Sequence, residues 1–422
     1  MGILPPSRPQ GKEKAVKDFK DALKSRFIRY TVYDTMSDSY NPSVRPSTPG
    51  QEVLLLQLKK ELEEMGLETY YGDEKVVMGK LEGNSGKSTI GFMAHVDTAS
   101  DCEGNGVKAK VWSNYDGGKI VLDGVVLDPA TTDRDLLLYK GGEIITSDGT
   151  TLLGSDDKAG VAIIMEMLKY FTTHPEVKRP SIEVYFTPDE ETGRGMDRFP
   201  YDRLKSTCCY TVDGGPEGQL ETECYNAASV FIKIHGVSIH LGDARGRLVN
   251  AVTVGSKIVS LLPQAESPEA TDGRYGYYCP YSFKGGTENA ELMVIIRDFD
   301  REKFEARIAN TETIAKTVGQ AYGAEVEVET KISYRNMAEV NRNDPSSTEA
   351  VYAAAEKLGL ELHDELIRGG TDGARLAETG VAAPNLFTGG HNLHSRSEWV
   401  AVDAMNRSMN LCIGIAEYWS ER

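Results

Sequence analysis

The residue types in this chain best suited to holding a metal ion are a few histidines and many acids. Seven histidines, at positions 95, 174, 235, 240, 363, 391 and 394, stand among 64 acidic residues, so a metal site here must be built mainly of carboxylates. His95 lies in GFMAHVDT, where an apolar run meets a polar turn, and Asp97 two residues on shares its strand face. A carboxylate so placed can hold the imidazole and fix its tautomer, as a metal-binding histidine needs. A surface histidine beside a turn aspartate has the same local pattern. Asp156 and Asp157, in LLGSDDKAG, open a helix, where an aspartate serves either as a metal ligand or as a plain N-cap. Glu190 and Glu191 close SIEVYFTPDEE ahead of TGRG. Neighbours on an extended chain face opposite ways, so one can ligate a metal while the other polarises its water; strand-end acids are also common on surfaces. Asp213 ends CYTVD before two glycines that permit close turns. His391 and His394 share the loop TGGHNLHSRSEW, and nothing in that loop selects between them as ligand. Taken together, five strand ends or loops each deliver a histidine or a carboxylate, and few folds gather acids in one place without a cation.

Bringing those five places together requires a sheet whose strand ends lie along one edge. From Ser88 onward TIGFMAHVDT, SIEVYFTPDEE and CYTVDGG are short apolar runs ending on charge, with the helical LLGSDDKAGVAIIMEMLKY between the first two. That alternation predicts an α/β domain with its site at the strand ends, a mixed, mainly parallel sheet with helices on both faces. Helices are also expected over 16–30 and over 51–65, where VLLLQLKKELEEM sets leucines on one face and Glu and Lys on the other. After Asn226 the pattern changes. ASVFIKIHGV alternates, VTVGSKIVSLL is helical, AELMVIIRDF alternates, REKFEARIANTETIAKTVGQAYG is a long amphipathic helix and EVEVETKISY alternates again. This strand, helix, strand, helix, strand order describes a small α+β insert. The expected organisation is a loose tail over 1–15, a catalytic domain over 16–224 and 338–422, and an inserted α+β lid over 225–337.

Charge narrows the partners. The sum of 47 basic and 64 acidic residues is −17, which argues against nucleic acid or an anionic membrane and for small substrates. No segment offers the ~20 apolar residues of a membrane span, MGILPPSRPQGKEK lacks the apolar run of a signal sequence, and Pro6 occupies the place where a myristoylation signal wants a hydroxyl residue. A cytoplasmic protein is expected. The six cysteines form no C-x-x-C pair and read as scattered thiols outside any metal site. Monomer and homodimer both fit the sequence.

The order HVDT, LLGSDDKAG, FTPDEETGRG, CYTVDGG and GGHNLHSRSEW resembles the dinuclear zinc aminopeptidase and carboxypeptidase family that includes carboxypeptidase G and succinyl-diaminopimelate desuccinylase. Within it the resemblance is strongest to the tripeptide aminopeptidase branch, peptidase T, through FTPDEE, NAASV, IIRDFDR, FEAR, RGGTDGA and PNLFTGG. It runs from Phe27 to the C-terminal helix. The resemblance implies two zinc ions per chain, one held by His95, Asp156 and Asp213, the other by Asp156, Glu191 and His394, with Asp156 shared. It also implies that Asp97 orients His95, that Glu190 is the general base toward a water shared by the two zinc ions, and that the bond between Asp156 and Asp157 is cis. The expected activity is removal of the N-terminal residue from short peptides, chiefly tripeptides.

The same metal core serves carboxypeptidases and N-acyl amino acid deacylases, so these remain the rival readings, beside a silent binding protein that kept the fold. All seven ligand, orienting and base positions hold competent residues, which disfavours the silent reading. Among substrate contacts, His240 in GVSIHLGDA corresponds to a lid histidine that in similar enzymes helps stabilise the carbonyl oxygen, although the usual H-P-G is here H-L-G. Arg297 and Arg368 are candidates to grip a peptide's C-terminal carboxylate bidentately, or, for Arg297, to make a strand-edge salt bridge. Asn250 is a lesser candidate.

Overall fold

The computed structural model describes residues 16–41 and 43–422; the expected tail over 1–15 lies outside them. By its internal contacts the chain divides into two units. The first takes the described residues up to Thr222 together with Val340–Glu365 and Thr371–Arg422; the second takes Glu223–Glu339 and Leu366–Gly370. The short stretch Leu366–Gly370, expected in the larger domain, therefore belongs with the smaller one.

Twelve strands matter here: Glu68–Tyr71 (β1), Val77–Leu81 (β2), Thr89–His95 (β3), Ser181–Thr187 (β4), Cys208–Gly214 (β5), Gln219–Cys224 (β6), Asn226–His235 (β7), Tyr277–Gly285 (β8), Asn289–Asp298 (β9), Glu325–Tyr334 (β10), His363–Ile367 (β11) and Asn385–Phe387 (β12). The large sheet has the order β1-β2-β4-β3-β5-β12-β6-β11. Its centre, β4, β3, β5 and β12, is parallel, while β1, β2 and β6 pair antiparallel. One face, carrying Ile90, Phe92, Val184, Phe186 and Tyr210, packs on the helices Lys20–Thr31 (α1), Pro49–Glu64 (α2) and Ser155–Thr173 (α3) and on two later helices, Ser346–Leu358 and Val402–Trp419. The opposite face, carrying Met93, Tyr185 and Cys209, packs on Met196, Phe199 and Leu376 of the short helix Asp372–Ala377. With a side-chain period of two, His95, Thr187 and Asp213 fall on this second face at the C-terminal ends of three neighbouring parallel strands. The sheet thus aims two of the expected site residues the same way.

The helix expected over 16–30 spans Lys20–Thr31, and the one over 51–65 spans Pro49–Glu64, with proline in the first turn where its missing N–H costs nothing. Three helices are tied by charge: the buried Arg26 of α1 bonds Glu61 of α2, Glu166 of α3 at 2.6 Å and Tyr30 at 2.8 Å. Burial alone would raise the Glu61 carboxyl, but hydrogen bonds from Gln57 and Tyr30 and the charges of Arg26 and Arg29 hold it below its ordinary value. Its contribution to stability is therefore complete above the unfolded carboxyl value of about 4.3 and drains away as pH falls through the lowered folded value. Arg26→Met leaves Glu166 buried without its cation and Glu61 with Arg29 alone, and is expected to cost about 3–5 kcal/mol in urea unfolding; a change under about 1 kcal/mol would contradict this account of the cluster.

Two features lay outside the sequence expectations. Residues 110–146 and 390–401 form a small four-stranded sheet from Lys110–Trp112, Ile144–Thr146, Gly390–His391 and Trp399–Ala401, whose strands of two or three residues are too short to show a period. In the second unit the sheet is antiparallel, in the order β8-β9-β7-β10, with helices Ala251–Leu261 and Arg301–Tyr322 contributing to its core. The expected five-element order omitted β8, an edge strand that is mostly exposed and carries Pro280 at a register shift. Proline without an N–H is confined to such places, and it hides them from a search for alternation.

Candidate metal centre

His95 ends β3 with its imidazole almost fully buried, at 2 % exposure. Its Nε2 lies 2.9 Å from Asp156 Oδ1 and 3.3 Å from Asp213 Oδ1. Asp156 stands where the chain enters α3, and its other oxygen, Oδ2, lies 3.1 Å from His394 Nε2, which is in turn 3.1 Å from Glu191 Oε2. The carboxylate of Asp156 therefore faces both imidazoles, one through each oxygen. The peptide bond between Asp156 and Asp157 is cis. Glu190 and Glu191 form a single 3-10 turn directly after β4.

Outer partners hold each of these groups. The Nδ1 of His95 lies 3.1 Å from the Asp97 carbonyl and 3.4 Å from its carboxylate. The two carboxylate oxygens of Asp97 accept the backbone N–H groups of Glu190 at 3.0 Å and Glu191 at 3.1 Å. One fully buried aspartate thus orients the first histidine and fixes the turn that carries both glutamates. Asp189 braces that turn from the other side, accepting from Ser47 N–H and Gln51 Nε2. Asp157 accepts the N–H of His95 at 3.1 Å and that of Gly160 at 3.2 Å, so its role is to pin β3 to α3. Asn385 of β12 accepts from the N–H of Asp213 at 3.2 Å. Asp97→Asn replaces an acceptor with a donor facing an N–H, and about 10–100-fold weaker metal binding is expected in a chelator competition; an unchanged affinity would contradict the orienting role.

The two loop histidines differ in their surroundings. His391 stacks on Trp399 with ring centroids 3.8 Å apart and has Nδ1 3.6 Å from Asp135, and burial lowers its pKa to about 4. His394 sits between those strands at positive φ, 59°, with Nδ1 3.2 Å from Asp101 and Nε2 on Asp156 and Glu191.

Two groups of donors, His95–Asp156–Asp213 and Asp156–Glu191–His394, each place three ligand atoms within 4.8 Å of one another. The charges in this cluster strain against each other. Burial, followed by the charge of Asp156, raises the Glu191 carboxyl to about 8, and burial raises Asp213 to about 7. Burial and the charges of Asp213, Asp372 and Glu191 push Glu190 well above its ordinary value, against the pull of His95. Asp156 is held down, against burial, by His394 and His95. Glu191 Oε1 is buried without a hydrogen-bond partner among the described residues, a costly state for a carboxylate oxygen unless a cation meets it. A carboxylate-rich donor set with imidazole at both ends suits divalent zinc, with manganese and cobalt as alternatives of similar ligand preference.

The family model for peptidase family M20/M25/M40 matches residues 149–418. The chain belongs to this family. A curated relative, Peptidase T of Caldanaerobacter subterraneus, is 41% identical over 404 residues, 94% of this chain and 98% of its own length. Among solved structures, a tripeptidase from Staphylococcus aureus superposes with a TM-score of 0.76 at 19% identity, covering 96% of this chain and 99% of that one. A dinuclear metal-binding M20 peptidase from Bacillus subtilis superposes with a TM-score of 0.66 at 16% identity over 94% and 98%. Both share the M20 fold, the α/β sheet with an inserted α+β domain.

The remaining site candidates of this M20 peptidase lie in its smaller unit. Arg297 of β9 bonds the Ile296 carbonyl at 3.2 Å and lies over the Tyr334 ring; Arg368 bonds Thr271 Oγ1 at 3.3 Å and lies over the Tyr225 ring. The alternative reading of Arg297, a strand-edge salt bridge, is not formed among the described residues, and both guanidinium charges reach Tyr277. Asn250 is the N-cap of its helix, its Oδ1 accepting from Val252 and Thr253, so half of its amide is committed to structure. His240 is exposed, with Nδ1 accepting the Gly242 N–H.

Two buried acids escaped the sequence reading. Asp372, in RGGTDGA, accepts from Thr187 Oγ1 at 2.6 Å, and burial raises it to about 6. Glu398, in SRSEW, accepts from the backbone of Leu153, Gly154, Ser155 and Asp156. The only local signal for Glu398 is an acid placed between a site histidine and an aromatic strand.

Proposed function

We propose that this M20 peptidase is a zinc aminopeptidase that removes the N-terminal residue from tripeptides, with His95, Asp156 and Asp213 holding one ion and Asp156, Glu191 and His394 the other. The observation that carries the reading is the pair of three-donor groups sharing Asp156, with Glu190 on the same turn as Glu191 and no hydrogen bond from its carboxylate to the described residues. The curated relative named Peptidase T supports the substrate class. Held by these two donor groups, zinc would supply acidification of a water and polarisation of the scissile carbonyl. Glu190 takes the proton of the attacking water and returns it to the leaving amine. Asp97 keeps that base in place through the backbone of Glu190 while holding His95. Arg297 and Arg368 grip the C-terminal carboxylate of a short peptide, a ruler for length. His240 assists at the carbonyl oxygen, Asn250 lends its free amide nitrogen, and the smaller unit acts as the lid. Such a peptide-recycling enzyme belongs in the cytoplasm.

Hydrolysis of a free tripeptide compared with its N-acetylated form tests this directly. The acetylated peptide is expected to resist cleavage. Equal turnover of both would favour the carboxypeptidase or N-acyl amino acid deacylase reading on the same core.

A further inference from the structure

Glu398 is 1 % exposed, and its carboxylate receives five hydrogen bonds from four consecutive residues. Oε2 accepts the N–H of Leu153 at 2.7 Å and of Gly154 at 2.9 Å. Oε1 accepts the N–H of Ser155 at 2.6 Å, the Ser155 hydroxyl at 2.5 Å and the N–H of Asp156 at 3.2 Å. The groups it collects are the free N–H donors that precede and open α3, an arrangement that favours a negative charge. Capping alone would need one or two of them. Five bonds on four residues fix the whole approach to Asp156, whose backbone leaves helical geometry at φ −86°, ψ 104°.

The same glutamate is close in sequence to His394. Between them the chain is braced on itself: Ser395 Oγ donates to the Asn392 carbonyl at 2.6 Å, Ser397 N–H donates to Ser395 Oγ at 3.2 Å, and Glu398 N–H donates to the Ser395 carbonyl at 3.2 Å. Beyond Glu398 the chain enters the buried strand Trp399–Ala401. A displacement of the carboxylate is therefore shared by Asp156 on one side and His394 on the other.

We infer that Glu398 is the positioning residue that sets Asp156 and His394 against each other, and that it decides how tightly the Asp156–Glu191–His394 position holds its ion. The inference rests on the two-metal reading above. The other position is buffered, because His95 and Asp213 are held by Asp97, Asp157 and Asn385. His394, by contrast, is 41 % exposed and backed by the exposed Asp101.

The test is cobalt(II) titration of the full-length chain stripped of metal, read by metal content and by the visible absorption of bound cobalt. The wild-type chain is expected to take two equivalents. In Glu398→Gln an amide NH2 meets backbone N–H donors; the first equivalent should bind as in wild type and the second about tenfold or more weakly, with an altered absorption for that equivalent alone. Ser155→Ala, which removes one donor and no charge, should shift the second equivalent in the same direction by less. A Glu398→Gln chain that binds both equivalents with wild-type affinity, or loses affinity for both equally, overturns the inference. If far-UV circular dichroism shows that this variant does not fold, Ser155→Ala decides, and an unchanged second equivalent overturns it. A wild-type chain that takes fewer than two equivalents instead refutes the two-metal reading itself.

Discussion

Glu190→Gln is expected to retain both metal ions while kcat falls by about 10²–10⁴-fold. The glutamine keeps the length and shape of the side chain but cannot take a proton. The bonds that fix its turn come from backbone N–H groups onto Asp97 and survive the substitution. Glu191, on the same turn, still faces His394. KM should change little, because the role proposed for Glu190 is on the reacting water and the peptide's ends are assigned to other residues. Single-turnover kinetics with metal content measured on the same sample checks both halves. Normal kcat would remove Glu190 from its role, and loss of metal would make it a ligand.

Asp156→Ala should abolish activity by a different route. Its two oxygens face different histidines, 2.9 Å from His95 and 3.1 Å from His394, so removing one side chain strips a donor from both three-residue groups at once. The loss should exceed the about 10–100-fold cost of removing an outer partner, and metal content after desalting should fall well below that of wild type. The methyl group also leaves two imidazoles facing each other without the carboxylate between them. Added metal should then fail to restore turnover at concentrations that saturate the wild-type chain. Recovery of full activity in excess metal would show that Asp156 is dispensable as a bridge.

Much of this centre is legible in sequence because strand geometry exposes it. His95 and Asp213 close apolar runs, and a period of two sends both to one face of a sheet whose centre is parallel. The Glu190–Glu191 pair is visible as acids following an apolar run, but it lies on a 3-10 turn beyond the strand, so the alternation expected of an extended chain does not set the two side chains. What the loop residues alone could not separate, they left open for a physical cause: His391 and His394 occupy the same polar loop, and they differ in the stacking of His391 on Trp399 and the approach of His394 to Asp156 and Glu191. Glu398 is harder still to see, since its partners are backbone N–H groups that leave no side-chain pattern. The same limit applies to Asp157, which the helix-cap reading covered but whose acceptance of the His95 N–H joins residues 62 positions apart. In the smaller unit the exposed edge strand β8 and the late return of Leu366–Gly370 were hidden, the first by Pro280 and the second because a five-residue segment has no periodicity of its own. Arg368 lies within that returning segment, so its neighbours Thr271 and Tyr225 could not be foreseen.

The central claim is that these carboxylates and imidazoles are arranged for two cations. Metal analysis of the full-length protein, purified without chelator and freed of loosely bound ions, tests it most directly. About two zinc ions per chain is the expected result; a value near zero, with added zinc leaving peptide hydrolysis absent, would contradict it.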